Sequence, residues 1–285
     1  MFPVLFKIGP LTIYSLGLLW ALAAVCAGYI VQLELKRNRL NPELASSIVF
    51  AAVAGGLIGA RLLLILEEWN DFVRSPWDII LSGAGFSWYG GFLGGVLAVS
   101  WVVRHHEIPW LKAADLSSPG LALGYGVGRI GCFLAGDATW GKVTGVPWGM
   151  AFPNAVAGWV DPLTGVPYPA GVRVHPTQLY ELVQSLFVFG ILWSLRKRAL
   201  PNGAIFWLYL ILAGSMRFLV EFWRANPVVV LGMTEYQWIS LILVLLGGYL
   251  FYRQRLIMER PTRSMRTDLK NKTRNETKLK KEGSL

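Results

Sequence analysis

Apolar residues run along this chain in long blocks separated by charged clusters. Seven blocks stand out, at about residues 11–31, 47–66, 86–103, 113–135, 178–195, 203–222 and 236–252, each close to the roughly 20 residues that an α-helix needs to cross a bilayer. The pattern predicts an all-α membrane protein: about seven transmembrane helices in one polytopic domain over residues 1–255, followed by a basic tail over 256–285. The fourth block is the least regular, because it holds charge and many glycines. Between the fourth and fifth lies the longest connection, 136–177, rich in glycine, proline and tryptophan (VTGVPWG, DPLTGVPYPAGVRVHP). Loops beyond about 12–15 residues are mostly functional or disordered, and the aromatics and prolines here predict a small folded cap over a cavity.

Composition points the same way. Hydrophobic residues make up 54% of the 285 and charged residues only 15%, with a mean hydropathy of +0.47, where a soluble chain carries about 25% charged residues. Lysine and arginine decide orientation. Lys36, Arg37 and Arg39, then Arg104 and Lys112, then Arg196, Lys197 and Arg198 follow the first, third and fifth blocks, and the tail from Arg253 brings that side to nineteen. The other side has five: Lys7, Arg74, Lys142, Arg173 and Arg224. The N-terminus is therefore expected outside, the C-terminus in the cytoplasm and the cap on the outer, periplasmic face. The first block has no A-x-A-like exit before Glu34 and reads as a retained anchor. Cys26 and Cys132 both sit in apolar blocks, too few and too deep for a disulfide framework. The tail reads as disordered and solvated, its charge suited to the anionic cytoplasmic leaflet. No aromatic interleaving or folded module accompanies that charge, which argues against nucleic acid as a partner.

Three arginines change the picture, because they lie inside the apolar blocks: Arg61 in GLIGARLLLIL, Arg129 in GYGVGRIGCFLAG and Arg217 in YLILAGSMRFLVEFW. An arginine at bilayer depth costs at least about 2.5–3.5 kcal/mol on insertion scales. Three of them imply a shared polar cavity that holds an anion, and a planar guanidinium suits phosphate. The glycines that bracket Arg129 allow backbone N–H groups to approach a ligand; they also suit close helix packing. Arg217, Glu221 and Arg224 share one helical face. His175, Gln178, Tyr180 and Glu181, in HPTQLYE, line the mouth of a helix that enters the membrane. Asp115 stands near the inner end of the fourth block as a cap or a countercharge, and Asp137 just past Arg129. Tyr14 and the run Ser87-Trp88-Tyr89 sit at interfacial positions. His105 and His106 lack the spacing of helical metal ligands, and no metal is expected.

The motifs GRIGCFLAGDATWG, SWYGG, HPTQLYE and RFLVEFWR, in that content and over about Tyr14 to Trp238, resemble the prolipoprotein diacylglyceryl transferase family of bacterial inner membranes. The resemblance implies transfer of the diacylglyceryl group from phosphatidylglycerol to the lipobox cysteine thiol of a preprolipoprotein, with release of glycerol phosphate and without a cofactor. It implies catalytic roles for Arg129 and Arg217, and substrate-binding roles around the same cavity for Tyr14, Asp115, Cys132, Asp137, His175, Gln178, Glu181, Glu221 and Arg224. Two positions depart from the pattern. Cys132 stands where asparagine is frequent and reads as a small packing residue. Tyr89 stands where many members have histidine, which leaves the base open between Tyr89, a carboxylate and the substrate phosphate. An anion or lipid transporter and a non-catalytic lipid-binding protein are the rival classes. The first should show repeated halves, and the chain has no such repeat.

Overall fold

The computed structural model describes residues 1–9, 11–77 and 87–259. The tail beyond 259 and the first residue of the third block lie outside the described residues. A β-hairpin opens the chain, β1 (Val4–Ile8) against β2 (Leu11–Tyr14), in antiparallel register with Lys7 opposite Thr12. Here the structure departs from the expectation that the first helix starts near residue 11. The short β-branched stretch LTIY pairs with VLFKI, and helix begins only at the leucine- and alanine-rich run that follows. The hairpin is tied to the membrane body by Phe2 N–H donating to the Leu134 carbonyl at 3.2 Å.

The remaining elements are α1 (Ser15–Arg37), α2 (Leu44–Glu67), the short α3 (Trp69–Arg74), α4 (Trp88–His105), α5 (Trp110–Ala135), α6 (Thr177–Leu195), α7 (Ala204–Val220), the small ribbon β3 (Val228–Val230) and β4 (Met233–Thr234), and α8 (Glu235–Glu259). Each of the seven apolar blocks coincides with one of the long helices. Several helices overrun their block, because the apolar run stops before the helix does: α1 continues through Glu34 and Lys36, and α8 continues into the segment read as tail. Among the described residues, four helices are long and apolar enough to cross a membrane: α1, α2, α6, and α8 over Glu235–Gln254. The chain is thus a largely helical, multi-pass membrane protein. Large apolar side chains such as Trp20, Phe50, Leu97, Trp101 and Leu245 point outward from the body, as expected of helices bathed in lipid.

Packing is pairwise. α1 lies along α5, α2 along α4 and α7 along α8, while α5, α6 and α7 meet one another. A glycine seam joins α2 and α4: a Cβ on Gly59 or Gly90 would overlap the carbonyl oxygen of the other, and Gly55 and Gly94 meet in the same way. Such close backbone approach replaces the hydrophobic drive that lipid removes. The glycines of α5 have the same use. Gly131 faces Leu16 and Leu19 of α1, Gly120 faces the Ala27 carbonyl, and Gly126 faces Ser185 of α6. Their N–H groups belong to the helix, so they seat Arg129 by packing and do not offer backbone donors to a ligand.

Between α5 and α6 the chain folds on itself over 136–176. Trp140, Phe152 and Val174 are buried together, with Phe133, Trp159 and Tyr168 against them, and Val174 pairs with both Val143 and Met150. Gly141 bridges to Arg224, where any Cβ would strike the Trp223 carbonyl. That contact fastens the segment to the end of α7.

Candidate active site

α5, α6 and α7 each contribute one ionic side chain to a point below the 136–176 segment. Arg129 lies in the penultimate turn of α5, Glu181 one turn into α6 and Arg217 in the last turn of α7, where a cation also complements the helix dipole. Glu181 is the hub. Its Oε2 pairs with Arg129 Nε, its Oε1 takes Arg217 Nη1 at 2.6 Å, and Arg224 Nη1 stands 3.6 Å from the same oxygen. Tyr125, one turn before Arg129, donates its hydroxyl to Glu181 at 3.0 Å and accepts from Arg129 Nη2 at 2.8 Å.

A second carboxylate stands behind the first. Glu221 Oε2 lies 2.9 Å from Arg217 Nη2, while its Oε1 accepts from Asn226 and from Thr234 Oγ1 at 2.9 Å. The Tyr236 ring lies under the Arg217 guanidinium at 4.7 Å, a favourable cation–π arrangement. Arg224 also donates to the Thr139 carbonyl at 2.8 Å, and Thr177 Oγ1 donates to that same oxygen at 2.7 Å. Three guanidinium charges therefore face two carboxylates, which leaves a net positive site for one anion. Burial is graded. The Glu181 side chain is 2% exposed, whereas those of Arg129 and Arg217 are 17% and 22% exposed. The carboxylate forms the back wall and the arginines keep an accessible edge.

The other residues singled out in the sequence fall at different distances from this cluster. Cys132 Sγ is 3.8 Å from Arg129 Nη1. Asp137 holds the turn into the folded segment by accepting from Thr139 Oγ1 at 2.5 Å. His175 Nδ1 contacts the Tyr180 hydroxyl at 3.0 Å, and Trp148 Nε1 donates to the same hydroxyl at 2.7 Å. The tyrosine hydroxyl, accepting from Trp148, has its own proton free to donate to Nδ1 of a neutral imidazole. Burial lowers the His175 pKa and favours that neutral form. Gln178 is fully buried in the first turn of α6. Tyr89 does not join the arginines: its hydroxyl donates to Glu235, the residue before Tyr236. Tyr14 is exposed where β2 hands over to α1.

Asp115 lies elsewhere. It accepts from the backbone N–H groups of Gly203 and, at 2.8 Å, Phe206, and so caps α7 at its start. Fourteen residues of helix, about 21 Å at 1.5 Å per residue, separate it from Arg129. A cap is a local task that its side chain is already performing, so it has no part in the arginine cluster. Arg61 is on α2 beside Leu57, Ile58 and Leu62 and takes no part in the Glu181 pairs. The third arginine of the cluster is instead Arg224, from beyond the end of α7. Tyr125 and Tyr236 were not singled out by sequence reasoning; Tyr125 had a signal, since a residue four before Arg129 shares its helix face.

A helical membrane protein whose buried arginines gather on one carboxylate, with edges left open, is built to handle an anion at bilayer depth. Residues 3–253 match the family described as prolipoprotein diacylglyceryl transferase, and the chain belongs to that family. It is similar to proteins named phosphatidylglycerol–prolipoprotein diacylglyceryl transferase. That of Clostridium tetani is 34% identical over 88% of this chain and 97% of its own length. That of Nitrosospira multiformis is 32% identical over 86% and 83%, and that of Nitrosomonas europaea 32% over 88% of each.

Proposed function

We propose that this protein is a transferase that moves the diacylglyceryl group of phosphatidylglycerol to the lipobox cysteine of preprolipoproteins, the first step of bacterial lipoprotein maturation. It works in the bacterial inner membrane, crosses it seven times with the N-terminus outside, and carries the 136–176 segment on the outer face over a cavity that the donor lipid enters from the bilayer. The observation that carries the reading is the graded cluster: Glu181 buried behind, Arg129 and Arg217 paired to it and partly open.

The chemistry follows from charge. A carbon–sulfur bond forms at the glyceryl carbon while its bond to the phosphate oxygen breaks, and the thiol proton ends on the departing glycerol phosphate. Negative charge grows on the phosphate as that bond lengthens. Each guanidinium has five N–H donors, and those not spent on carboxylates meet the phosphate oxygens as the charge grows. Glu181 and Glu221 hold the forks in place beforehand, so no reorganisation is needed at the moment of reaction. Tyr125 fixes Arg129 from the side. The donor phosphate takes the thiol proton itself, because Tyr89 is engaged with Glu235 and the two nearest carboxylates are engaged with arginines.

Purified protein, phosphatidylglycerol and a lipobox peptide should yield glycerol phosphate and a thioether-linked peptide in equal amounts. A protein that binds the lipid without releasing glycerol phosphate would be a lipid-binding protein, and the reading would fail.

A further inference from the structure

At the opposite end of α5 from Arg129, a second polar pocket opens where the ends of α1, α5, α6 and α7 meet. Its floor is Glu34, 3% exposed at the side chain and paired with Arg37 at 2.5 Å and with Arg196 Nε at 3.1 Å. The other carboxylate of the pocket, Asp115, is spent on the N-terminus of α7. Lys112 and Arg198 line the same pocket, and among the described residues neither side chain has an ion pair or a hydrogen bond. Four cations thus converge with two carboxylates that are already engaged. Like charges gathered in this way repel unless an anion sits among them.

The surroundings suit the edge of a bilayer. The Arg196 guanidinium lies 3.1 Å over the Trp193 ring, and the half-exposed Trp110 donates its indole N–H to Ser100 at 3.0 Å, the kind of aromatic anchors found at headgroup depth. Basic pockets between spanning helices on the cytoplasmic side take phospholipid headgroups. We propose that this pocket binds the phosphate of an anionic phospholipid in the leaflet opposite the one that supplies the transferred lipid. It is a second lipid site, about 20 Å along α5 from the reacting one, and it clamps four helix ends together. It goes beyond the transferase reading and rests on it only for which leaflet supplies the transferred lipid.

The test is native mass spectrometry of the full chain, stripped of lipid in detergent and titrated with phosphatidylserine, which is anionic, or with zwitterionic phosphatidylcholine. Wild type and Arg217→Lys should each retain a phosphatidylserine and no phosphatidylcholine. The double variant Lys112→Gln, Arg198→Gln should bind phosphatidylserine roughly thirtyfold more weakly, at the worth of two basic residues near a headgroup. Glu34→Gln should bind it more tightly, because it frees Arg37 and Arg196, and a gain cannot come from misfolding. Unchanged affinity in the double variant would overturn the proposal. So would loss of the lipid in Arg217→Lys alone, which would assign it to the reaction site, or its displacement by millimolar inorganic phosphate, which would assign the pocket to a soluble anion.

Discussion

Glu181 accepts from Arg129, Arg217 and Tyr125 with almost no exposure to solvent, so its charge matters more than its size. Removing one partner of a buried ion pair costs about 3–5 kcal/mol, because the remaining charge is left uncompensated. Glu181→Gln keeps the volume and loses the charge that two guanidiniums share. We expect it to lower both the unfolding temperature and glycerol phosphate release more than Glu221→Gln does. Among the described residues Glu221 makes a direct ion pair with Arg217 alone, and it is also held by Asn226 and Thr234. Equal effects of the two substitutions, measured side by side, would contradict the hub. His175 gives a pH prediction. Burial lowers its pKa below the ordinary value of about 6.5, so the unfolded chain takes up the proton first. The stability due to neutral His175 is present above about pH 6.5 and is lost as pH falls toward the folded pKa. Thermal unfolding followed from pH 7.5 to 5 should therefore show a smaller acid decrement in His175→Gln than in the wild type. The ionic members of the cluster were legible in the sequence because charge at apolar depth is costly and must be used. Tyr125 was not, because a tyrosine in an apolar run is as easily read as packing.

Apolar run length marks where the helices lie, and it fails where a short apolar stretch has another way to pair. Leu11–Tyr14 is apolar enough to extend α1, yet it forms a strand because Val4–Ile8 can fold back on it. The glycines in GYGVGRIG were open to two readings from sequence, and only the neighbouring helices decide between them, since what fills the space beside a glycine belongs to another segment. The seam between α2 and α4 makes this testable. In Gly90→Ala the new methyl would meet the Gly59 carbonyl and, at 2.5 Å, Leu63 Cβ, whereas in Gly56→Ala it would sit 3.5 Å from the Gly91 carbonyl, an ordinary contact. Overpacking of this kind costs about 1–3 kcal/mol. Gly90→Ala should melt at a clearly lower temperature in detergent, and Gly56→Ala should melt like the wild type. The opposite order would mean that the two helices do not meet along this seam.

At the scale of the molecule, the uneven distribution of lysine and arginine sets the expected orientation. A reporter active only in the cytoplasm should give signal when fused to Leu285 and none when inserted within 136–176; the reverse would invert the topology and move lipid entry to the other leaflet. The long-range facts were the least legible. That Asp115 serves α7 and that Arg224 takes the place expected of Arg61 depend on how helices distant in sequence come together. The central claim is that Arg129 and Arg217, aimed by one buried carboxylate, bear the charge that develops on the phosphate. Lysine keeps that charge but replaces a planar fork with a point donor. The direct measurement is glycerol phosphate release by Arg129→Lys and Arg217→Lys, each first shown to be folded and inserted. Each should turn over roughly 10²–10³ more slowly than the wild type, the cost of losing one donor to a developing oxyanion; near-normal turnover in both would contradict the clamp.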